Sequence, residues 1–152
     1  MLILVDSALQ KILNDTLAVV GTPNAGLFSA IKVALFTDAN PITTASVLAD
    51  KTEATYTGYA RSGNVVWGAP YRGPEGKWRI AGAGILFISS DGVTPNLIYA
   101  AGLVTGSGGG TVLQAGDLFA TPRNLDRAGE GFLYTPVVEL PPGPWGGGLL
   151  ID

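Results

Sequence analysis

The chain has 152 residues and a net charge of −3, and only 14% of it is Asp, Glu, Lys or Arg, against roughly 25% in ordinary soluble domains. Histidine and cysteine are both absent, which removes His-based acid–base catalysis, thiol nucleophiles, disulfides and the usual zinc, haem and iron–sulfur ligand sets. The nine basic residues are scattered from Lys11 to Arg127, so no stripe for tracking phosphates exists and nucleic acid is not an expected partner.

The length suits one domain with a proper core. Mean hydropathy is +0.33, yet apolar runs such as Ala81 to Ile88 fall far short of the ~20 residues that span a bilayer, and no membrane partner is expected. A fold with so few charges has little material to cover its outside. Part of that outside is therefore expected to face other subunits.

Met1 to Val5 is apolar but lacks a basic region and runs into Asp6, which makes a poor signal peptide. Asn14-Asp15-Thr16 matches a glycosylation sequon by chance composition. Residues 7–20 are predicted as a helix, because Val5, Leu9, Ile12, Leu13, Leu17 and Val20 recur at spacings of three and four. Ser7 with Gln10 forms a capping box, and Gly21 with Pro23 supplies the stop. Everything after Gly26 reads as β. The predicted strands are 29–37, 52–60, 64–68, 77–81, 84–90, 96–105, 111–119 and 131–140. Turn signals divide them at Ser62-Gly63, Gly73-Pro74-Glu75-Gly76, Ser90-Asp91-Gly92, Thr94-Pro95-Asn96 and the glycine run 106–110. This pattern predicts a mainly β fold, a jelly-roll-like antiparallel β-sandwich with one N-terminal α-helix, as a single domain over 1–140.

Residues 141–152 are a Pro/Gly-rich arm, Pro-Pro-Gly-Pro-Trp-Gly-Gly-Gly-Leu-Leu-Ile-Asp, that cannot form regular helix. Glycine on one side and proline on the other leave Trp145 without local support. Burying Trp145, Leu149, Leu150 and Ile151 against another surface would contribute several kcal/mol at about 25 cal/mol/Å², before ordering costs. These four residues are the candidate interface.

Other constellations carry less. The glycine run 106–110 lacks the Gly-Lys-Ser/Thr of a phosphate loop, and Gly82-Ala-Gly84 precedes a strand, the wrong order for a dinucleotide fingerprint. No acidic pattern has calcium-loop spacing. Asp117, Asp126 and Glu130 could converge in space, as could Asp38 and Asp50, which leaves open a small carboxylate-dependent hydrolase. Trp67, Tyr71 and Trp78 bracket Arg72-Gly-Pro-Glu-Gly, a loop composition that sugar-binding sites share with ordinary strand ends.

One stretch is more specific. Ile31, Val33 and Leu35 alternate with Lys32, Ala34 and Phe36, and Asn40-Pro41 stops the pairing. A Thr- and Tyr-rich segment follows, Thr52-Glu-Ala-Thr-Tyr-Thr-Gly-Tyr-Ala60, with a bulge or close backbone approach expected at Gly58. Leu35-Phe36, Pro41, the 52–60 segment and Asn96-Leu-Ile-Tyr99 together resemble a family of small bacteriophage virion proteins. The resemblance covers roughly residues 7–140, and its specific part is 52–60. It implies a role as a capsid decoration (cement) or another accessory virion protein, with no catalytic residue to carry over, and no cofactor or metal is expected. It also implies a homo-oligomer, a trimer by preference, that bridges major capsid subunits in the virion. The alternative is a tail or fibre component that binds a host-surface glycan.

Overall fold

A computed structural model describes residues 3–4, 31–68, 71–74, 78–90, 96–105 and 112–139. The expected helix at 7–20 and the arm at 141–152 lie outside the described residues. The described part is mainly β, with strands β1 (Ile3–Leu4), β2 (Lys32–Phe36), β3 (Tyr71–Arg72), β4 (Trp78–Ala81), β5 (Ile85–Ile88), β6 (Asn96–Thr105), β7 (Val112–Leu125), β8 (Gly131–Tyr134) and β9 (Val137–Glu139). A short 3₁₀ turn occupies Leu48–Asp50. The strands form a four-stranded sheet in the order β1-β7-β6-β2, a three-stranded sheet β3-β4-β9 and a two-stranded ribbon β5-β8. Every pairing is antiparallel.

The core lies on and around β2 and β6. Val33, Ala34, Leu35 and Phe36 are all fully buried, so β2 is covered on both faces. Opposite it, Ala100, Ala101 and Gly102 keep β6 slim enough for Phe36 to lie close. A Cβ on Gly102 would sit 2.5 Å from the Phe36 ring and 2.8 Å from Leu113, so glycine is required for this packing. β7 runs longer than the expected 111–119 and carries two irregularities against β6. Gln114 is the extra residue between Leu113 and Ala115, and its amide donates to Thr105 Oγ1 at 2.9 Å. Between Leu118 and Arg123 the strand gains a larger insertion that holds Pro122, the kind of site where a residue with no N–H donor is tolerated.

The segment 52–60 is a correction to the expected strand. It makes one bridge, Glu53 with Phe36, and otherwise follows β2 irregularly. Yet it closes the outer edge of β2 group by group. Thr37 N–H donates to Thr52 O at 2.8 Å, and Ala54 N–H donates to Leu35 O at 2.9 Å. Leu35 N–H donates to the Tyr59 hydroxyl at 3.1 Å, and Val33 N–H to the Ser62 hydroxyl at 2.7 Å. Ser62 N–H returns to Val33 O at 3.0 Å, and Val65 N–H reaches Ile31 O at 2.7 Å. Two side-chain hydroxyls thus stand where a neighbouring strand would supply carbonyls. Regular pairing fails here because the chain must turn at Gly58 (φ +90°), where Tyr59 N–H bonds Tyr56 O. A Cβ on Gly58 would lie 2.9 Å from Ser90 Oγ, so the close approach expected there is present.

Three further boundaries differ from the sequence reading. Residues 64–68 form no regular strand and bridge Gly82 through Trp67. Residues 131–140 divide into β8 and β9 at Thr135-Pro136, since Pro136 has no N–H for the ladder and instead accepts from Gly82 N–H at 2.8 Å. Tyr71–Arg72, expected in a loop, forms the short β3 against β4.

Replacing Tyr59 by Phe keeps the ring and strands the buried Leu35 N–H. The expected loss is about 1–3 kcal/mol of unfolding free energy, read as a lower urea midpoint with unchanged slope. An unchanged midpoint would show that the hydroxyl does not close this edge.

Candidate functional site

A group of exposed apolar side chains among the described residues lies on the β5–β8 ribbon. Ile85-Leu-Phe-Ile88 pairs with Gly131-Phe-Leu-Tyr134 in the register Ile85–Tyr134, Leu86–Leu133, Phe87–Phe132 and Ile88–Gly131. Alternation sends Phe87, Phe132 and Tyr134 inward. There they meet Phe119, with ring centroids 5.9 Å apart for Phe87–Phe132, 5.8 Å for the edge-to-face pair Phe119–Phe132 and 5.9 Å for Phe119–Tyr134. Burial, and then the charge of Asp117, push the Tyr134 hydroxyl well above its ordinary pKa. The other face carries Leu86 and Leu133 directly opposite each other, 61% and 67% exposed, with Ile88 at 44%. Opposite Ile88 stands Gly131, where a Cβ would collide with the Phe87 carbonyl oxygen. The outward face is thus apolar and free of charge.

A groove of about 420 Å³ runs beside β5, between it and the 58–66 segment. Its walls include Ala60, Val65, Val66, Leu86, Phe87 and Ile88. Val66, on the far wall, is 71% exposed. The groove exists because the chain is tied to β5 only at its two ends. Ser90 N–H donates to Thr57 O at 2.9 Å, and Ala83 N–H donates to Val66 O at 2.8 Å. Between those ties the 58–65 segment bows towards β2, where Ser62 and Val65 make their bonds.

Several of the remaining polar groups are used in the scaffold. Glu53 accepts from Tyr59 Oη at 2.6 Å, from Arg61 Nε at 2.9 Å and from Arg61 Nη2 at 2.7 Å. Burial pushes the Glu53 carboxyl up, but the hydrogen bonds from Arg61 and Tyr59, with the Arg61 charge, outweigh it and hold the carboxyl below its ordinary value. Burial and the bond to Glu53 push the Tyr59 hydroxyl well up, and burial raises Tyr56 to about 12. Asp38 accepts from Thr52 N–H at 2.7 Å and lies 3.5 Å from Lys51 Nζ, whereas Asp50 is exposed on the 3₁₀ turn. Glu130 accepts from the Asp126 and Arg127 N–H groups at 3.1 and 3.2 Å, closing an exposed turn, and its hydrogen bond holds the Asp126 carboxyl down. Asp117 faces Ala101 in the β6–β7 ladder instead. No group of three or more carboxylates is placed to hold a metal ion among the described residues.

The aromatic bracket divides. Trp67 is half-buried and packs against the core, while Tyr71 is 43% exposed on β3 opposite Arg79. Arg79 pairs with Glu139 across β4–β9 at 2.5 Å. The candidate interface residues Trp145, Leu149, Leu150 and Ile151 lie outside the described residues. The ribbon face was missed in sequence, although its signal was present. Ile-Leu-Phe-Ile on a short strand is apolar at every position, so both faces demand cover. No family model, curated protein or solved structure matches the chain.

The Glu53 cluster sets a pH dependence. A carboxylate with a depressed folded pKa stabilises fully above its unfolded value of about 4.3 and loses that contribution as pH falls through the lower folded value. The urea midpoint of the parent should therefore exceed that of Glu53→Gln at pH 7, with the gap narrowing as pH falls below about 4. A gap independent of pH from 7 to 2.5 would count against the ionised cluster.

Proposed function

We propose that this chain is a structural subunit, without catalytic activity, that self-associates and decorates a bacteriophage capsid. The reading rests on one observation above the others, the exposed apolar face made by Leu86, Leu133 and Ile88. Isolated exposed aliphatics are common on any protein, but two leucines facing each other on one ribbon beside Ile88 form a contiguous surface. A chain with 14% charged residues has few other means of keeping such a face in water. The virion assignment comes from the resemblance carried by Leu35-Phe36, Pro41, residues 52–60 and Asn96–Tyr99, of which 52–60 is the specific part. In this reading the domain is a jelly-roll-like sandwich with an N-terminal helix, assembles as a trimer in the virion, and resists separation of the major capsid subunits it bridges. The work is mechanical, done by buried area.

Sedimentation velocity at micromolar concentration should show a species at least twice the 15.6 kDa chain mass. Leu133→Glu places a charge at the centre of the face and should weaken that association at least tenfold, with the melting temperature of the domain little changed. A parent that sediments as a monomer up to 100 µM would overturn the reading.

A further inference from the structure

The groove beside β5 holds an open strand edge. Ser89 N–H donates towards β8, to Glu130 O, and Ser90 N–H donates the other way, to Thr57 O. Donors and acceptors of successive residues in an antiparallel ladder point to opposite sides. Leu86 and Ile88 share the parity of Ser90, so their N–H and C=O groups face the groove, and no bond to either is present among the described residues outside the ladder. An edge of this kind takes an added extended segment, with main-chain bonds for affinity and apolar walls for side chains. Residues between Ala60 and Val66 form the far wall.

Resting on the self-association reading above, we propose that the groove receives the apolar end of the arm, Leu149-Leu150-Ile151, from a second copy of this chain. The Pro/Gly-rich composition of the arm excludes regular helix. Its three aliphatic residues match the span from Leu86 to Ile88, and Gly146 to Gly148 permit close backbone approach. Exchange between copies follows from where β9 delivers the chain. In the β4–β9 register, Val137 lies opposite Ala81 and Glu139 opposite Arg79, so the chain leaves in the direction away from β5. Pro141, Pro142 and Pro144 favour continued extension at about 3.1 Å per residue. Only Trp145 to Gly148, about 13 Å of chain, then remain to turn back towards the domain's own groove. We therefore seat the arm on a neighbouring copy.

The test uses full-length chains. In one variant Leu149, Leu150 and Ile151 are all changed to Ser; in another, Leu86→Pro removes a groove-facing N–H while leaving the β8 ladder its bonds, with Leu86→Thr as the control that keeps the N–H. Each of the first two should lose at least tenfold in self-association by sedimentation, and Leu86→Thr should lose clearly less than Leu86→Pro. Mixing the triple-Ser chain, which retains a groove, with Leu86→Pro, which retains an arm, should restore a 1:1 complex. Should Leu86→Pro prove unfolded by circular dichroism, the peptide Trp145–Asp152 titrated into the ¹⁵N-labelled triple-Ser chain decides instead. The amides of Ile85–Ile88 and Ala60–Val66 should shift; no shift, or shifts elsewhere, overturns the assignment. A mixture that stays separate also overturns exchange between copies. An oligomeric parent whose triple-Ser variant associates undiminished sinks the arm–groove assignment and leaves the self-association reading standing. A monomeric parent sinks both.

Discussion

The outer edge of β2 is the constraint on which the rest of the molecule depends. β2 is buried on both faces, so each backbone group on its free side must find a partner within the protein or lose about 1–3 kcal/mol. Among the described residues no regular strand lies there. The chain from Thr52 to Val65 supplies the partners instead, some from its backbone and two from the hydroxyls of Tyr59 and Ser62. Glu53 and Arg61 hold Tyr59 in place through bonds of 2.6 to 2.9 Å, and because Glu53 stays ionised the hydroxyl can donate to it while accepting from Leu35. The Thr-Glu-Ala-Thr-Tyr-x-Gly-Tyr-Ala pattern is thereby accounted for as a closure of the sheet, with no ligand needed to explain its polar residues.

That closure has a consequence on its other side. To reach β2, the 58–65 segment bows away from β5 and touches it only near Thr57 and Val66. The core edge is thus shut, and a different edge, on the two-stranded ribbon, stays open in a groove. Edge strands are usually defended by charges, proline or a bulge. Leu86 and Ile88 on β5, facing Leu133 and Gly131, provide no such defence. A two-stranded ribbon with apolar residues on both faces is marginal alone; here the aromatic cluster of Phe87, Phe119, Phe132 and Tyr134 anchors its inner face. The outer face has no equivalent among the described residues, and this is the observation behind the assembly we propose.

Much of the strand content was legible. Asn96–Thr105 was read at its full extent, since ten residues of β-prone sequence stand between clear turn signals. The run ending at Phe36 was legible through its alternation. Two failures share one cause, that a ladder is a property of pairs. Residues 52–60 have strand composition but face an edge that needs irregular spacing, so tertiary context overrode propensity. Residues 120–125 contain Pro122 and read as the end of a strand, yet β6 supplies partners beyond the proline and β7 continues to Leu125.

Composition by itself determined the mainly β class, the absence of His and Cys chemistry and the shortage of charge, because these depend on residue identity and short-range pattern alone. The sequence also marked Gly58 as a site of close backbone approach, where the positive φ favours glycine. The tertiary structure alone decided which hydroxyls close the β2 edge, which acids serve as scaffold, and which of two apolar faces on Ile85–Ile88 points outward. Each of those depends on register between segments distant in sequence, and register is set by the simultaneous satisfaction of backbone bonds and core packing, which no local window contains.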